Sequence, residues 1–202
     1  MSGQNKVSGV VLAGGMARRM RQQDKGLLPF KNRPLISYPL AAMAPLVDEL
    51  LISANRNLDR YRQFEYPLIS DANQNFDGPL AGILAAMQTA QNPLLLIAPC
   101  DSPLVETAHL QRLLSALLTS DTDIAVAFDG ERLHPVFAAL KTDLRLDLHA
   151  YLQSGERKLQ NWFYRHTLVK VDFSDAPQIF ANINTPTELA ELEKAPAHRT
   201  GD

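Results

Sequence analysis

Two glycines and a group of cations follow the first hydrophobic run of the sequence. The residues of this segment that could contact a ligand are Gly14, Gly15, Arg18, Arg19 and Lys25. Glycine lets a backbone approach a ligand closely with its N–H groups free, and arginine and lysine neutralise phosphate oxygens. The segment contains neither GxxxxGK[ST] nor GxGxxG. We interpret it as a loop that binds a nucleoside triphosphate, and a surface loop with solvated cations is the alternative.

An aspartate stands just after the most apolar run of the sequence, PLLLIAP at 93–99. A triphosphate reaction needs a divalent cation, and Mg²⁺ is usually held by one or two carboxylates together with phosphate oxygens and waters. Asp101 is therefore a candidate Mg²⁺ ligand. The residues alone fit a second role equally well, in which Asp101 or Ser102 caps a helix that starts near Pro103.

The remaining reactive side chains form no recognisable catalytic pattern. Cys100 is the only cysteine, and a lone cysteine at a strand end is more often a small buried hydrophobe than a nucleophile. The five histidines show no HxH or HExxH spacing, which argues against a zinc site. Asp71 ends a strand-like run, where its carboxylate could bind a guanine edge or ribose hydroxyls, or form an ordinary turn.

Strands and helices alternate along the chain and must position these residues. Hydrophobic runs predict strands at 7–13, 48–55, 66–71, 93–99, 123–128, 135–140 and 167–173. Helical spacing predicts helices at 34–47, 78–90, 105–118, within 141–153 and 156–165, and from Thr185 onwards, although Pro39 interrupts the first. The alternation predicts an α/β fold, a three-layer, doubly wound and mostly parallel sheet that binds ligands at the carboxyl ends of its strands.

Composition narrows the class of protein and its partners. Of 202 residues, 46% are hydrophobic and 21% charged, with a net charge of −2. This balance argues against a nucleic-acid or membrane partner. With one cysteine, no secretory signal and no apolar run of the roughly 18 residues that a membrane helix needs, we expect a cytoplasmic protein. We expect a single domain over residues 1–195 and a flexible tail over 196–202.

The glycine and cation segment is part of a longer resemblance. LAGGMARRMRQQDKG at 12–26 resembles the signature of nucleotidyltransferases of the molybdenum-cofactor type, and most resembles the molybdenum cofactor guanylyltransferase family. The same resemblance extends through LISANR at 51–56, DGPLAG at 77–82, APCDSP at 98–103, GERLHP at 130–135 and NINTPTEL at 182–189. Three residues depart from the family's usual pattern, namely Met16, Arg21 and Ser53.

The resemblance implies a reaction and a set of site residues. It implies a Rossmann-like domain of the nucleotide-diphospho-sugar transferase type that transfers GMP from GTP to the terminal phosphate of molybdenum-molybdopterin. The implied GTP contacts, in the N-terminal half, are Leu12, Ala13, Gly14, Gly15, Lys25, Ser53, Asp71, Gly78 and Asp101. The implied catalytic residues are Lys25, Arg19 and Asp101, and Asp101 would also hold Mg²⁺. The implied pterin contacts are His134, Asn182 and Asn184.

The implied reaction needs no general base, because the attacking phosphate is already anionic at neutral pH. Catalysis would rest on positioning and charge stabilisation. The alternatives are a cytidylyltransferase for the same cofactor, another NTP transferase such as a sugar-nucleotide pyrophosphorylase, and a non-catalytic carrier of GTP or pterin. We expect a monomer with GTP and molybdenum-molybdopterin as substrates, and transient contacts with other cofactor-biosynthesis proteins, apo-molybdoenzymes or their chaperones.

Overall fold

A computed structural model describes residues 6–13, 24–70, 78–181 and 188 of the chain. Its strands are β1 (Val7–Leu12), β2 (Pro29–Phe30), β3 (Arg33–Pro34), β4 (Glu49–Ser53), β5 (Leu68–Ile69), β6 (Leu94–Pro99), β7 (Ile124–Phe128), β8 (Leu133–Lys141) and β9 (Leu168–Asp172). Its α-helices are α1 (Ser37–Met43), α2 (Leu58–Tyr61), α3 (Pro79–Thr89), α4 (Thr107–Thr119), α5 (Arg145–Gln153) and α6 (Leu159–Phe163). Across these residues, none of the helices is long and apolar enough to cross a bilayer.

Seven strands form one central sheet in the order β5-β4-β1-β6-β8-β7-β9. Strand β8 is antiparallel to both of its neighbours, and every other neighbouring pair is parallel. The predicted mostly parallel sheet is therefore confirmed. Six strands end at the same edge of the sheet, which we call the carboxyl edge, and β8 begins there.

Helices cover both faces of the sheet and complete the three predicted layers. Helices α1 and α4 contribute to one hydrophobic cluster, and α3, α5 and α6 contribute to the other. In β6, Leu96 and Ala98 face the first cluster while Leu95 and Ile97 face the second. This explains why the β6 sequence is apolar without alternation, since a parallel strand in the middle of such a sheet is buried on both sides.

Three segments differ from the sequence prediction, and one of them is helix α2, which was not predicted. The first predicted helix is shorter than expected and begins at Ser37, so that Pro39 lies in its first turn, where its missing N–H costs no hydrogen bond. Strands β2 and β3 were not predicted. They form an antiparallel hairpin whose two-residue loop is Lys31 and Asn32, both at positive φ. The helix predicted from Thr185 lies outside the described residues except for Glu188, which is helical.

A network of buried polar groups joins four elements at the opposite edge of the sheet. The Ser8 hydroxyl of β1 donates to Glu49 Oε2 of β4 at 2.6 Å and accepts from Asn92 Nδ2 at 3.0 Å. The Asn92 carbonyl in turn accepts from the Thr142 hydroxyl at 3.0 Å, just after β8. Ser8 is fully buried, so water cannot replace these partners.

We expect Ser8→Ala to lower the free energy of unfolding by about 1–3 kcal/mol, because it leaves buried polar groups without their partner. Urea denaturation would measure the loss, with the exposed Ser115→Ala as a control that should stay within about 0.5 kcal/mol of the wild type. Equal stability of Ser8→Ala and the wild type would contradict the importance of this network.

Candidate active site

Hydrogen bonds between backbones join the ends of β1, β4 and β6 at the carboxyl edge. The Ala13 N–H donates to the Ser53 carbonyl at 2.7 Å, and the Cys100 N–H donates to the Leu12 carbonyl at 3.0 Å. Ala13 and Ser53 are both buried. The parallel sheet thus brings together four predicted site residues from distant parts of the sequence, namely Leu12, Ala13, Ser53 and Asp101.

Lys25 and Asp101 meet at this edge. The Lys25 ammonium lies 3.3 Å from Asp101 Oδ2, and the two side chains are 25% and 14% exposed. Lys25 was predicted to neutralise phosphate and Asp101 to hold a divalent cation. Their contact means that one triphosphate placed at this point can reach both groups.

The helix-capping role considered for Asp101 and Ser102 is wrong. Helix α4 begins at Thr107, several residues further on, and Glu106 is its N-cap. Glu106 and His109 form the capping box: the Glu106 side chain accepts from the His109 N–H, and His109 Nδ1 accepts from the Glu106 N–H at 3.0 Å. The Asp101 carboxylate therefore remains at the carboxyl edge for another role.

The donors around Asp101 fit a cation that arrives with a triphosphate. Nowhere in the described ranges do three or more His, Cys, Asp or Glu side chains gather into a metal cage. Mg²⁺ needs only one or two carboxylates when phosphate and water supply its other ligands. The neighbouring Ser102 hydroxyl is fully buried and has no hydrogen-bond partner among the residues that the structure describes. A buried orphan of this kind is costly in a native protein, and it lies next to the candidate cation ligand.

A network around Asp24 was missed by the sequence analysis. Asp24 Oδ1 accepts from the Tyr61 hydroxyl at 2.5 Å, and Asp24 Oδ2 accepts from Asn57 Nδ2 at 3.0 Å. Asp24 directly precedes Lys25, which was a signal available in the sequence. Tyr61 lies on the short helix α2, in a segment for which no element was predicted, so no pattern pointed to it.

Burial raises the pKa of two acidic groups close to the Lys25–Asp101 pair. The Tyr61 phenol is fully buried, and this raises its pKa well above the ordinary value, with Cys100 and the bond to Asp24 adding to the effect. Burial also raises the pKa of the Cys100 thiol, and the nearby Asp101 charge raises it further. Because a thiol is a poor nucleophile, Cys100 acts as a packing residue, as the sequence indicated.

His134 is held at the carboxyl edge near the start of β8. Its Nε2 lies 2.7 Å from Asp129 Oδ2, and its ring stacks on Phe180 with centroids 3.7 Å apart. Hydrogen bonds from the Arg132 N–H, His134 and the Glu131 N–H keep the pKa of Asp129 below its usual range. His134 is the second residue of β8 and pairs with Ala127, next to an irregularity in the register between Val126 and Ala127.

Several predicted contacts lie outside the described residues and stay predictions: Gly14, Gly15, Arg18, Arg19, Asp71, Asn182 and Asn184. Gly78 and Gly82 are described. Gly82 lies in α3, where an added Cβ would stand 2.8 Å from Ser53 Oγ, so close packing of the helix explains this glycine. Gly78 precedes α3 with φ +67° and ψ −152°, a conformation open essentially to glycine alone.

We expect Gly78→Ala to lower the free energy of unfolding by about 1–3 kcal/mol, because alanine is strained in this conformation. If Gly78 also contacts the nucleotide, affinity for the triphosphate falls in calorimetric titration. The control is Ala85→Gly, in the middle of the same helix. It should lower the free energy of unfolding by about 0.5–1 kcal/mol and leave the affinity for the triphosphate unchanged. Equal nucleotide affinities in both variants and the wild type would remove Gly78 from the site.

The doubly wound sheet with a lysine–aspartate pair at its carboxyl edge is typical of a nucleotide-binding α/β domain. The family model described as "MobA-like NTP transferase domain" matches residues 9–171. The chain belongs to this family.

Relatives with assigned names are similar over nearly the whole chain. A protein of Shewanella loihica is 45% identical over 193 residues, which cover 96% of this chain and 98% of the relative. A protein of Shewanella halifaxensis is also 45% identical, with 96% of each chain covered. Both relatives are named molybdenum cofactor guanylyltransferase.

Solved structures of low sequence identity share the fold. Molybdopterin-guanine dinucleotide biosynthesis protein A from Archaeoglobus fulgidus superimposes with a TM-score of 0.76 at 23% identity, covering 92% of this chain and 96% of its own. 2-C-methyl-D-erythritol 4-phosphate cytidylyltransferase from Thermus thermophilus gives 0.70 at 17% identity, covering 91% and 96%. The predicted nucleotidyltransferase type of fold is thus confirmed.

Proposed function

We propose that this chain transfers GMP from GTP to the terminal phosphate of molybdenum-molybdopterin. The observation that carries the proposal is the Lys25–Asp101 contact at the carboxyl edge, in a chain 45% identical to enzymes named for this activity. The reaction forms a bond between the pterin phosphate oxygen and the α-phosphorus of GTP. It breaks the bond between that phosphorus and the bridging oxygen, and pyrophosphate leaves with the electron pair.

Lys25 and Asp101 have complementary roles in this proposal. The Lys25 ammonium neutralises phosphate oxygens as a point charge, and Arg19 is proposed to add to it. Asp101 is proposed to hold Mg²⁺, which when bound neutralises charge on the triphosphate. No side chain has to remove a proton, because the attacking phosphate is already an anion. The chain's contribution is to orient the two anionic substrates against each other.

The pterin side of the site is proposed to include His134, Asn182 and Asn184. His134 supports this because the Asp129 carboxylate and the Phe180 ring fix the orientation of its imidazole at the carboxyl edge. A side chain whose orientation is already fixed loses little conformational entropy when a heteroaromatic substrate binds, so a fixed imidazole favours binding. We propose a monomer, a cytoplasmic location and transient transfer of the product to other cofactor-biosynthesis proteins, apo-molybdoenzymes or their chaperones.

Pyrophosphate release tests the reaction directly. GTP, CTP, UTP and ATP are each supplied with Mg²⁺ and molybdenum-loaded molybdopterin. We expect release with GTP only, and only when the pterin is present. Release with CTP would show a cytidylyltransferase instead, and tight GTP binding without any release would show a carrier.

We expect Asp101→Asn to lower kcat/KM for GTP by about 10²–10³-fold, because it removes the charge proposed to hold Mg²⁺. The fold should survive, since a partly exposed ion pair adds only about 0–1 kcal/mol. Steady-state kinetics at several Mg²⁺ concentrations would measure the loss, with the exposed Asp59→Asn as the control. Near-normal turnover of Asp101→Asn would remove this residue from the site.

We expect Lys25→Met to weaken binding of the triphosphate and to slow its turnover, because the point charge on the phosphates is lost. The matched control is Lys141→Met, which breaks another partly exposed Lys–Asp pair, 3.0 Å from Asp123, at the opposite edge of the sheet. Titration calorimetry with GTP and steady-state kinetics would compare the two variants. Unchanged kcat and KM in Lys25→Met would exclude Lys25 from the site.

A further inference from the structure

A buried tyrosine lies beneath the candidate active site and contacts the turn that carries Lys25. Tyr61 is fully buried, and its hydroxyl donates to Asp24 Oδ1 at 2.5 Å. Buried tyrosine hydroxyls need a partner, and a backbone carbonyl is enough for this, as at Tyr151, which donates to the Lys158 carbonyl at 2.9 Å. Tyr61 instead bonds a carboxylate, which gives a stronger and more directional contact.

Gly26 fits between Tyr61 and Cys100. A Cβ added at Gly26 would stand 2.7 Å from the Tyr61 hydroxyl and 3.2 Å from both Cβ and Sγ of Cys100. The backbone on the C-terminal side of Lys25 is therefore in close contact with the residue that precedes Asp101. Tyr61 therefore packs where the two segments that carry the Lys25–Asp101 pair meet.

The turn around Lys25 is fixed from both sides. On one side, Asp24 Oδ2 accepts from Asn57 Nδ2 at 3.0 Å, and Asn57 holds a left-handed conformation with φ +52° just before α2. On the other side, the Gly26 carbonyl accepts from the Ile36 N–H at 2.9 Å. Lysine has a flexible four-carbon stem, so the position of its backbone decides where its ammonium can reach.

We propose that Tyr61 is a positioning residue for Lys25. Its hydroxyl holds the Asp24 carboxylate, and this bond fixes the turn from which the Lys25 ammonium reaches Asp101. The inference rests on the proposed function only in that Lys25 meets the phosphates of a nucleotide. Because Tyr61 is fully buried, this role needs no contact between Tyr61 and the substrate.

A double-mutant cycle separates this role from simple packing. Binding of GTP with Mg²⁺ is measured by calorimetry for the wild type, Tyr61→Phe, Lys25→Met and the double variant. We expect Tyr61→Phe to weaken binding about 5- to 10-fold, the size expected for the net loss of one typical hydrogen bond. In the Lys25→Met background the same change should weaken binding less than about 2-fold, because the group that Tyr61 positions is gone.

Two further variants keep the test decisive. Tyr151→Phe also removes one hydrogen bond from a buried tyrosine, and it should leave GTP binding unchanged in both backgrounds. Asn57→Gly keeps the left-handed backbone and removes only the second donor to Asp24. It should weaken binding in the wild-type background alone, and it replaces Tyr61→Phe in the cycle if that variant does not fold.

The outcomes distinguish this inference from the proposed function. Equal weakening in both backgrounds, or no weakening at all, overturns the positioning role, whatever the wild type does with GTP. GTP binding that shows the expected coupling in a chain without GMP transfer supports the positioning role and overturns the proposed reaction. A wild type that binds no nucleoside triphosphate overturns both, since Lys25 then has no phosphate to meet.

Discussion

The contact between Lys25 and Asp101 joins two segments that are 76 residues apart in the sequence. A partly exposed ion pair contributes little to stability, so this contact does not hold the fold together. Instead, the contact depends on the fold. Strands β1 and β6 must lie side by side and parallel for their carboxyl ends to meet, and the turn at Lys25 must pack on Cys100 for the ammonium to reach Asp101.

The two edges of the sheet differ in how their polar groups are satisfied. At the edge opposite the carboxyl edge, the buried Ser8 hydroxyl bonds both Glu49 and Asn92, and this network ties β1, β4 and the start of β6 together. At the carboxyl edge, the Ser102 hydroxyl has no partner within the described part of the chain, and the Gly78 backbone has a conformation that is open essentially to glycine alone. Such a division is typical of enzymes. Their functional sites keep locally unfavourable features, such as unpaired polar groups, and the rest of the molecule supplies the stability.

Most of the fold could be predicted from sequence because its strands are buried on both faces. A run such as LLLIAP in β6 carries that information locally. The antiparallel direction of β8 could not be read locally, since it depends on which neighbours the strand pairs with. Short elements were missed for a related reason: the hairpin at β2 and β3 and helix α2 have too few residues to show a period.

The candidate site was predicted in part. Lys25 and Asp101 were found because glycine, cations and an aspartate follow buried strands, and the structure adds that they touch. Sequence alone left the capping role of Asp101 open, since the start of α4 depends on the capping box that Glu106 forms with His109. Tyr61 was not predictable, because its importance comes from a contact with Asp24 that only the folded chain creates.

The central claim is that the Lys25–Asp101 pair forms the site for the phosphates and their cation. A crystal structure with Mg²⁺ and a non-hydrolysable GTP analogue tests it most directly. The account predicts a cation about 2.0–2.1 Å from an Asp101 oxygen and the Lys25 ammonium within hydrogen-bond distance of a phosphate oxygen. A bound nucleotide whose phosphates lie away from an intact Lys25–Asp101 pair, with no cation at Asp101, would contradict it.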